Sequence, residues 1–219
     1  MNLQRIRDKI LEFFFPSRCV FCHRWRGKAV RFCEDCRKAL PYAPGPAAEQ
    51  KIAHMDRCLS PLYYEGSVRA SLLRYKFGGQ PSYASVYGAL LADCLAGHPG
   101  TWDCIAWVPL SRRRLRHRGY DQAELLAREL ESRLGLPVES LLRKRRHTRA
   151  QSATGDARKR RANIAGAYQV SDPEGVRGKR ILLVDDIVTT GSTLSECAKT
   201  LRAAGAASVT GLTLARKRE

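Results

Sequence analysis

Two hydrophobic rhythms share this chain. Four runs, "CLSPLYYE" (58–65), "CIAWVPL" (104–110), "GKRILLVDD" (178–186) and "SVTGLTLA" (208–215), are apolar almost without interruption, the pattern of strands buried on both faces. Pro61 inside the first run suggests an edge strand, because proline has no N–H for a neighbour. Elsewhere apolar residues recur at helical spacing: Val68, Leu72, Leu73 and Phe77 in "GSVRASLLRYKF", then "YASVYGALLADCLAG" ending at Gly97, "DQAELLARELESRLG" and "STLSECAKTLRAAG". Continuously apolar strands alternating with helices predict an α/β domain, a parallel sheet with helices on both faces. Pro109 to Gly119 is predicted to be a basic loop and Asp185 to Thr193 a second loop. Ligands of such sheets sit beyond the carboxyl ends of the strands, which brings these two loops together.

Length and composition, 219 residues with 44% hydrophobic and 27% charged, allow one good core plus a small appendage. Charge changes the picture more: 39 Lys+Arg against 21 Asp+Glu leave +18. Sixteen Lys/Arg against six Asp/Glu lie between Arg112 and Arg161, densest in "RRRLRHR" (112–118), "RKRRHTR" (143–149) and "RKRR" (158–161). Two readings stand: a site for polyanions such as nucleic acid, acidic lipid or a phosphate-rich small molecule, or a solvated basic face. No apolar run approaches the ~20 residues of a membrane span. The first residues, "MNLQRIRDKILEFFFP", read as a short amphipathic helix stopped by Pro16 and packed on the main domain; Asp8 and Glu12 interrupt it and no secretory cleavage site follows. A cytoplasmic chain with its eight cysteines reduced is the expectation.

Cys19-Val-Phe-Cys22 and Cys33-Glu-Asp-Cys36 are two Cys-x-x-Cys pairs with ten residues between them. Four thiolates from two tight turns complete a tetrahedron with no open position, which describes a structural Zn²⁺ site. A redox pair and an iron–sulfur cluster are the alternatives; a redox pair needs no second pair at this spacing, and a segment of about twenty residues needs a metal clip to fold. Cys58, Cys94, Cys104 and Cys197 have apolar surroundings and read as small core residues. His23 would be a fifth ligand and is left out. The division expected is therefore 1–40 as N-terminal helix and four-cysteine zinc ribbon, 41–50 as a Pro-rich linker, and 51–219 as the main domain.

The stretch "ILLVDDIVTTGST" (181–193) carries the densest chemistry. Hydroxyls and backbone N–H groups of Thr189, Thr190, Gly191, Ser192 and Thr193 stand at a helix start, where they cradle one phosphate. Asp185 and Asp186 suit sugar hydroxyls, or Mg²⁺ held directly or through water. A phosphate at one end and a vicinal diol at the other describe a ribose 5-phosphate. Neither G-x-x-x-x-G-K-[ST] nor a dinucleotide G-x-G-x-x-G after a strand is present. A plain strand end and helix cap is the simpler alternative.

These thirteen residues resemble, without a mismatch, the 5-phosphoribosyl 1-pyrophosphate (PRPP) motif of type I phosphoribosyltransferases. The wider chain resembles the competence protein ComF family, in which a four-cysteine zinc module precedes a phosphoribosyltransferase-type domain. Besides both cysteine pairs, "VPLSRRRLRHRGYDQAELLA" is similar to the family's Val-Pro segment followed by Arg-Gly-Phe-Asn-Gln-Ala, and "RHTRAQ" and "RRANIAGAY" resemble its Arg-x-Thr-x-x-Gln and Arg-x-x-Asn-x-x-Gly-Ala-Phe blocks. Tyr120-Asp121 departs from Phe-Asn, Tyr168 from Phe and Thr154 from Leu; Asp121, a carboxylate beside the basic loop, is expected to weaken an anion contact there.

The resemblance implies that Asp185 and Asp186 bind the ribose hydroxyls and Mg²⁺, that Thr189 to Thr193 hold the 5-phosphate, and that Pro109, Leu110, Ser111 and Arg112 meet pyrophosphate. It places Arg146, Thr148 and Gln151 on a hood, where a cation such as Arg146 stabilises the departing pyrophosphate. It further implies a PRPP-binding protein of the DNA-uptake apparatus, touching single-stranded DNA through the zinc module and arginine loops, with DNA-uptake or helicase proteins as partners. Trp25, Trp107, Tyr75 and Tyr120 are the aromatics near basic residues for base stacking, although Trp107 has the neighbours of a core residue. The alternative is a phosphoribosyltransferase of base salvage that releases pyrophosphate and needs no DNA; one PRPP site serves both.

Overall fold

The computed structural model describes residues 18–25, 31–145 and 164–218. Their elements, in chain order, are α1 (Glu34–Ala39), β1 (Glu49–Gln50), β2 (Arg57–Leu59), β3 (Leu62–Tyr63), α2 (Gly66–Phe77), α3 (Ala84–Ala96), β4 (Cys104–Trp107), α4 (Arg112–Arg118), α5 (Gln122–Leu134), β5 (Leu142–Lys144), β6 (Tyr168–Val170), β7 (Arg180–Val188), α6 (Ser192–Ala203) and β8 (Ser208–Arg216). The main sheet runs β1-β2-β8-β7-β4, with β3 also on β8. All its pairs are parallel except β1 with β2.

Alternation along β7 explains why the fold needs helices on both sides. Leu182 and Val184 join a core with Leu72 of α2, Leu91 of α3 and Leu126 of α5, whereas Ile181 and Leu183 join a second core with Leu194, Cys197 and Leu201 of α6. Cys58, Cys94, Cys104 and Cys197 are buried within these layers. Pro61 interrupts the first apolar run, so that β2 and β3 pair separately with β8; β2 is flanked by β1 and is not the edge.

The predicted loop from Pro109 to Gly119 instead contains helix α4. Its ends explain this: the Ser111 hydroxyl accepts the Arg114 N–H at 3.4 Å, and Gly119 closes it at φ 79°. Strand β7 also runs past the aspartates to Val188, paired with Arg216, so Asp185 and Asp186 are strand residues rather than loop residues. The antiparallel pair β5–β6 was not legible, since "LRK" and "YQV" are short and half polar. Residues 41–50, read as a linker, are tied to the sheet edge: the Ala43 N–H donates to Pro61 O at 2.8 Å, a 3₁₀ turn spans Gly45–Ala48, and Glu49 opposes Leu59. The expected N-terminal helix and the hood residues Arg146, Thr148 and Gln151 lie outside the described residues. Among the described residues no helix is long and apolar enough to cross a membrane.

Candidate functional site

Register brings the two expected loops together. Trp107 of β4 opposes Val184 of β7, and the Val108 N–H donates to Val184 O at 3.0 Å. The segment after β4 therefore leaves the sheet beside Asp185. Strand alternation sends the two aspartates to opposite layers. Asp185 acts electrostatically on Lys144, Tyr168 and Cys197, and Asp186 on Tyr75, Tyr87 and Arg118. Burial pushes the Asp185 carboxyl well above the usual carboxylate range, and the adjacent Asp186 charge adds to the rise; Lys76 and the Asp186 N–H, which donates to Asp185 Oδ1 at 2.8 Å, work against it. A cation or several hydroxyl donors at this spot would reverse that rise, because either favours the ionised form.

Directly beyond β7 the backbone folds into a cup of about 40 Å³ lined by Asp185 and residues 187–194. That is space for a few water-sized groups, enough to seat the oxygens of one anion, given the ~10–15 Å³ one water-sized probe takes. Gly191 makes the cup possible: its φ is 69°, and a Cβ there would meet the Ile52 side chain at 3.2 Å. The Thr190 and Ser192 hydroxyls lie 2.9 Å apart beside it, and the first turn of α6 presents N–H groups with no helical partner of their own.

Asp121 does something other than the sequence suggested. Its carboxylate caps α5, accepting the N–H groups of Ala123 at 3.1 Å and Glu124 at 3.5 Å on Oδ1, and clamps the segment after β4 by accepting the Leu110 N–H at 2.8 Å on Oδ2. It is a positioning group for Leu110 and Ser111. Next to that segment lies a cleft of about 870 Å³ whose walls include Ser111, Arg112, Arg113, Arg143, Lys144 and Arg145. Lys144 donates to the Tyr168 hydroxyl at 3.0 Å, and burial, with Arg114 nearby, lowers the pKa of its ammonium.

One residue that sequence reasoning missed sits at the centre. Lys76 Nζ lies 2.8 Å from Asp186 Oδ1, the two side chains 19% and 10% exposed. The signal was available: Val68, Leu72 and Lys76 form one i, i+4, i+8 stripe of α2, and a lysine on a buried stripe requires a counter-charge. Of the aromatics considered for stacking, Tyr75 and Trp107 are buried, which removes them; Trp25 is 62% exposed. Tyr120 is half-buried, its hydroxyl donating to Tyr75 O and accepting the Gln80 N–H at 3.2 Å.

Elsewhere against α2, Cys19, Cys22, Cys33 and Cys36 place their sulfurs within 4.8 Å of one another, Cys22 Sγ and Cys33 Sγ being 3.9 Å apart. Tetrahedral zinc with ~2.3 Å bonds sets ligand sulfurs roughly 3.8 Å apart, so the donor set fits. Against its burial, backbone N–H groups of Cys33, Cys22 and Phe21 favour the Cys19 thiolate, whereas burial and the neighbouring thiols push the Cys36 thiol up; a bound cation would be needed for all four to ionise together. The turn between the first two cysteines is gripped by α2: the Ser71 hydroxyl donates to Val20 O at 2.5 Å, and Arg74 donates to Val20 O at 2.9 Å and Phe21 O at 2.8 Å.

Fold and site define a phosphoribosyltransferase-type α/β domain behind a four-cysteine zinc ribbon. Family models agree: one described as a phosphoribosyl transferase domain matches residues 118–219, and one described as a double zinc ribbon domain matches residues 10–50; among the described residues one four-cysteine cluster is found. The chain is 28% identical to competence protein F of Haemophilus influenzae over 88% of this chain and 93% of that protein. It is 32% identical to the DNA utilization protein YhgH of Salmonella typhimurium over 87% and 86%, and 31% identical to competence protein ComFC of Streptococcus pneumoniae over 70% and 65%. The chain belongs to this competence protein F family.

Proposed function

We propose that the protein binds PRPP together with Mg²⁺ and acts in DNA uptake, in contact with single-stranded DNA. The observation that carries the first half is the pairing of Asp185 and Asp186 at the end of β7 with a cup for a single anion. In this reading Thr189, Thr190, Gly191, Ser192 and Thr193 hold the 5-phosphate, and Asp185 and Asp186 hold the ribose hydroxyls and Mg²⁺. Ser111 and Arg112 meet the pyrophosphate on a segment that Asp121 holds in place. Mg²⁺ would supply charge neutralisation at the pyrophosphate. Arg146 belongs to the same proposal as a cation for the leaving group.

Support for DNA contact comes from the relatives' names, the +18 charge, and the exposed arginines of α4 and exposed Trp25. Phosphate contacts of that kind make binding steeply salt-dependent. Four thiolates holding a metal suit a reducing compartment, which is why we place the chain in the cytoplasm. A second reading, transfer of the phosphoribosyl group to a base with release of pyrophosphate, is favoured by the cleft of about 870 Å³ beside Ser111, large enough to take an acceptor.

Titration calorimetry of PRPP with Mg²⁺ tests the site. Wild type is expected to bind, and Asp185→Ala/Asp186→Ala to bind at least about a hundredfold more weakly, as loss of charged hydrogen-bonding partners demands. Equal affinity in both would refute the reading. Salt-sensitive binding of a single-stranded oligonucleotide that survives the double substitution supports the DNA role, and pyrophosphate released on adding a free base supports the transferase.

A further inference from the structure

We propose that Lys76 is the resident counter-ion of the Asp185–Asp186 pair, and that it makes divalent-cation binding there conditional on a phosphorylated sugar. The inference rests on the PRPP reading above. Its physical basis is the fixed position of the ammonium. Lys76 occupies the last turn of α2, where the neighbouring residue is anchored from two sides: the Tyr75 hydroxyl donates to Gln122 O at 2.9 Å, and Tyr75 O accepts from the Tyr120 hydroxyl. Tyr120 is itself held by the Gln80 N–H at 3.2 Å. From this clamped turn Lys76 reaches Asp186 Oδ1 at 2.8 Å.

Asp185 faces the other layer, so it is a bare divalent cation taken by Asp186 that would have to displace this ammonium. It would leave the ammonium four-fifths covered, without its carboxylate and near Arg118, whose guanidinium lies 4.8 Å over the Phe77 ring and feels the Asp186 charge. Uncompensated buried charge is strongly unfavourable, so the exchange is resisted. A cation arriving with PRPP brings phosphate oxyanions, and the ammonium transfers from Asp186 to one of them. Every charge then keeps a partner. Lys76 is thus a specificity-determining residue: it excludes the free metal and reads the anionic part of the ligand.

Two opposite changes are expected from Lys76→Met, which keeps the length of the side chain and removes its charge. Mn²⁺ alone, followed by the loss of its free electron-spin-resonance signal, binds at least about tenfold more tightly than to wild type, while Mg²⁺–PRPP in calorimetry binds at least about tenfold more weakly. Lys76→Arg, which keeps the charge, stays close to wild type in both. A folded Lys76→Met protein with unchanged Mn²⁺ affinity, or with unchanged PRPP affinity, overturns the proposal. Should that variant fail to fold, wild type decides alone: Mn²⁺ binding that Asp185→Asn/Asp186→Asn abolishes, and that is as tight without PRPP as with it, overturns the counter-ion role. Failure of the underlying reading looks different, because wild type then binds no PRPP with any metal.

Discussion

Asp121 shows how a single residue can serve a site without touching what the site holds. Burial pushes its carboxyl up to about 6, against the N–H groups of Leu110, Glu124 and Ala123, which favour the ionised form, and with the Glu124 charge adding to the rise. An unfolded aspartate titrates near 4. The folded protein therefore holds an extra proton between these values, and the stability this contributes is complete below about pH 4 and lost as pH rises through about 6. Asp121→Asn keeps the capping oxygen but has no such step. It carries a fixed loss at every pH, because its amide group cannot accept the Leu110 N–H. Urea unfolding from pH 4 to 7 should show the variant gaining on wild type with rising pH, by up to about 3 kcal/mol. A difference that stays flat across this range would mean the carboxylate is ionised throughout.

At the scale of one element, helix α2 carries contacts to both the cysteine turn and the candidate site within six residues. Ser71 and Arg74 hold the backbone between Cys19 and Cys22, and Lys76 holds Asp186. Arg74→Met leaves the carbonyls of Val20 and Phe21 without their charged donor. Its expected cost is about 2–3 kcal/mol in denaturant unfolding, with faster loss of zinc to a chelator; unchanged zinc retention would show that the cysteine turn holds itself. Much of the layered fold was legible because its strands are continuously apolar and its helices keep the 3.6-residue period. The cysteine spacing was legible because metal geometry restricts which residues stand where, and "DDIVTTGST" was legible as the junction of a strand and a helix. Lys76 escaped because pattern reading scores a lysine as solvent-facing, and α4 escaped because seven residues rich in arginine have no apolar stripe, only caps. The cap that Asp121 places on α5 is a local signal, two and three residues long, but its clamp on Leu110 spans eleven residues, and no local rule reports such a contact.

For the molecule as a whole, the cysteine segment is part of the main core. Cys19, Val20 and Phe21 belong to the same buried cluster as Leu72, Tyr87 and Leu214, and the Phe21 ring lies 6.0 Å from Tyr87. Removing zinc, by chelation or by Cys36→Ser, should therefore lower the melting temperature of the entire chain in a single calorimetric transition. Two separate transitions would show that the segment folds apart from the sheet. The grip of α2 on the cysteine turn also bears on inheritance. Sequences from relatives can exchange their first forty-odd residues by recombination only if serine, arginine and tyrosine, or an equally matched set, meet the incoming turn at positions 71, 74 and 87. The stretches that encode the cysteine turn and residues 71–87 have to descend as one unit, and a shuffled descendant that breaks the match loses its sheet along with its metal.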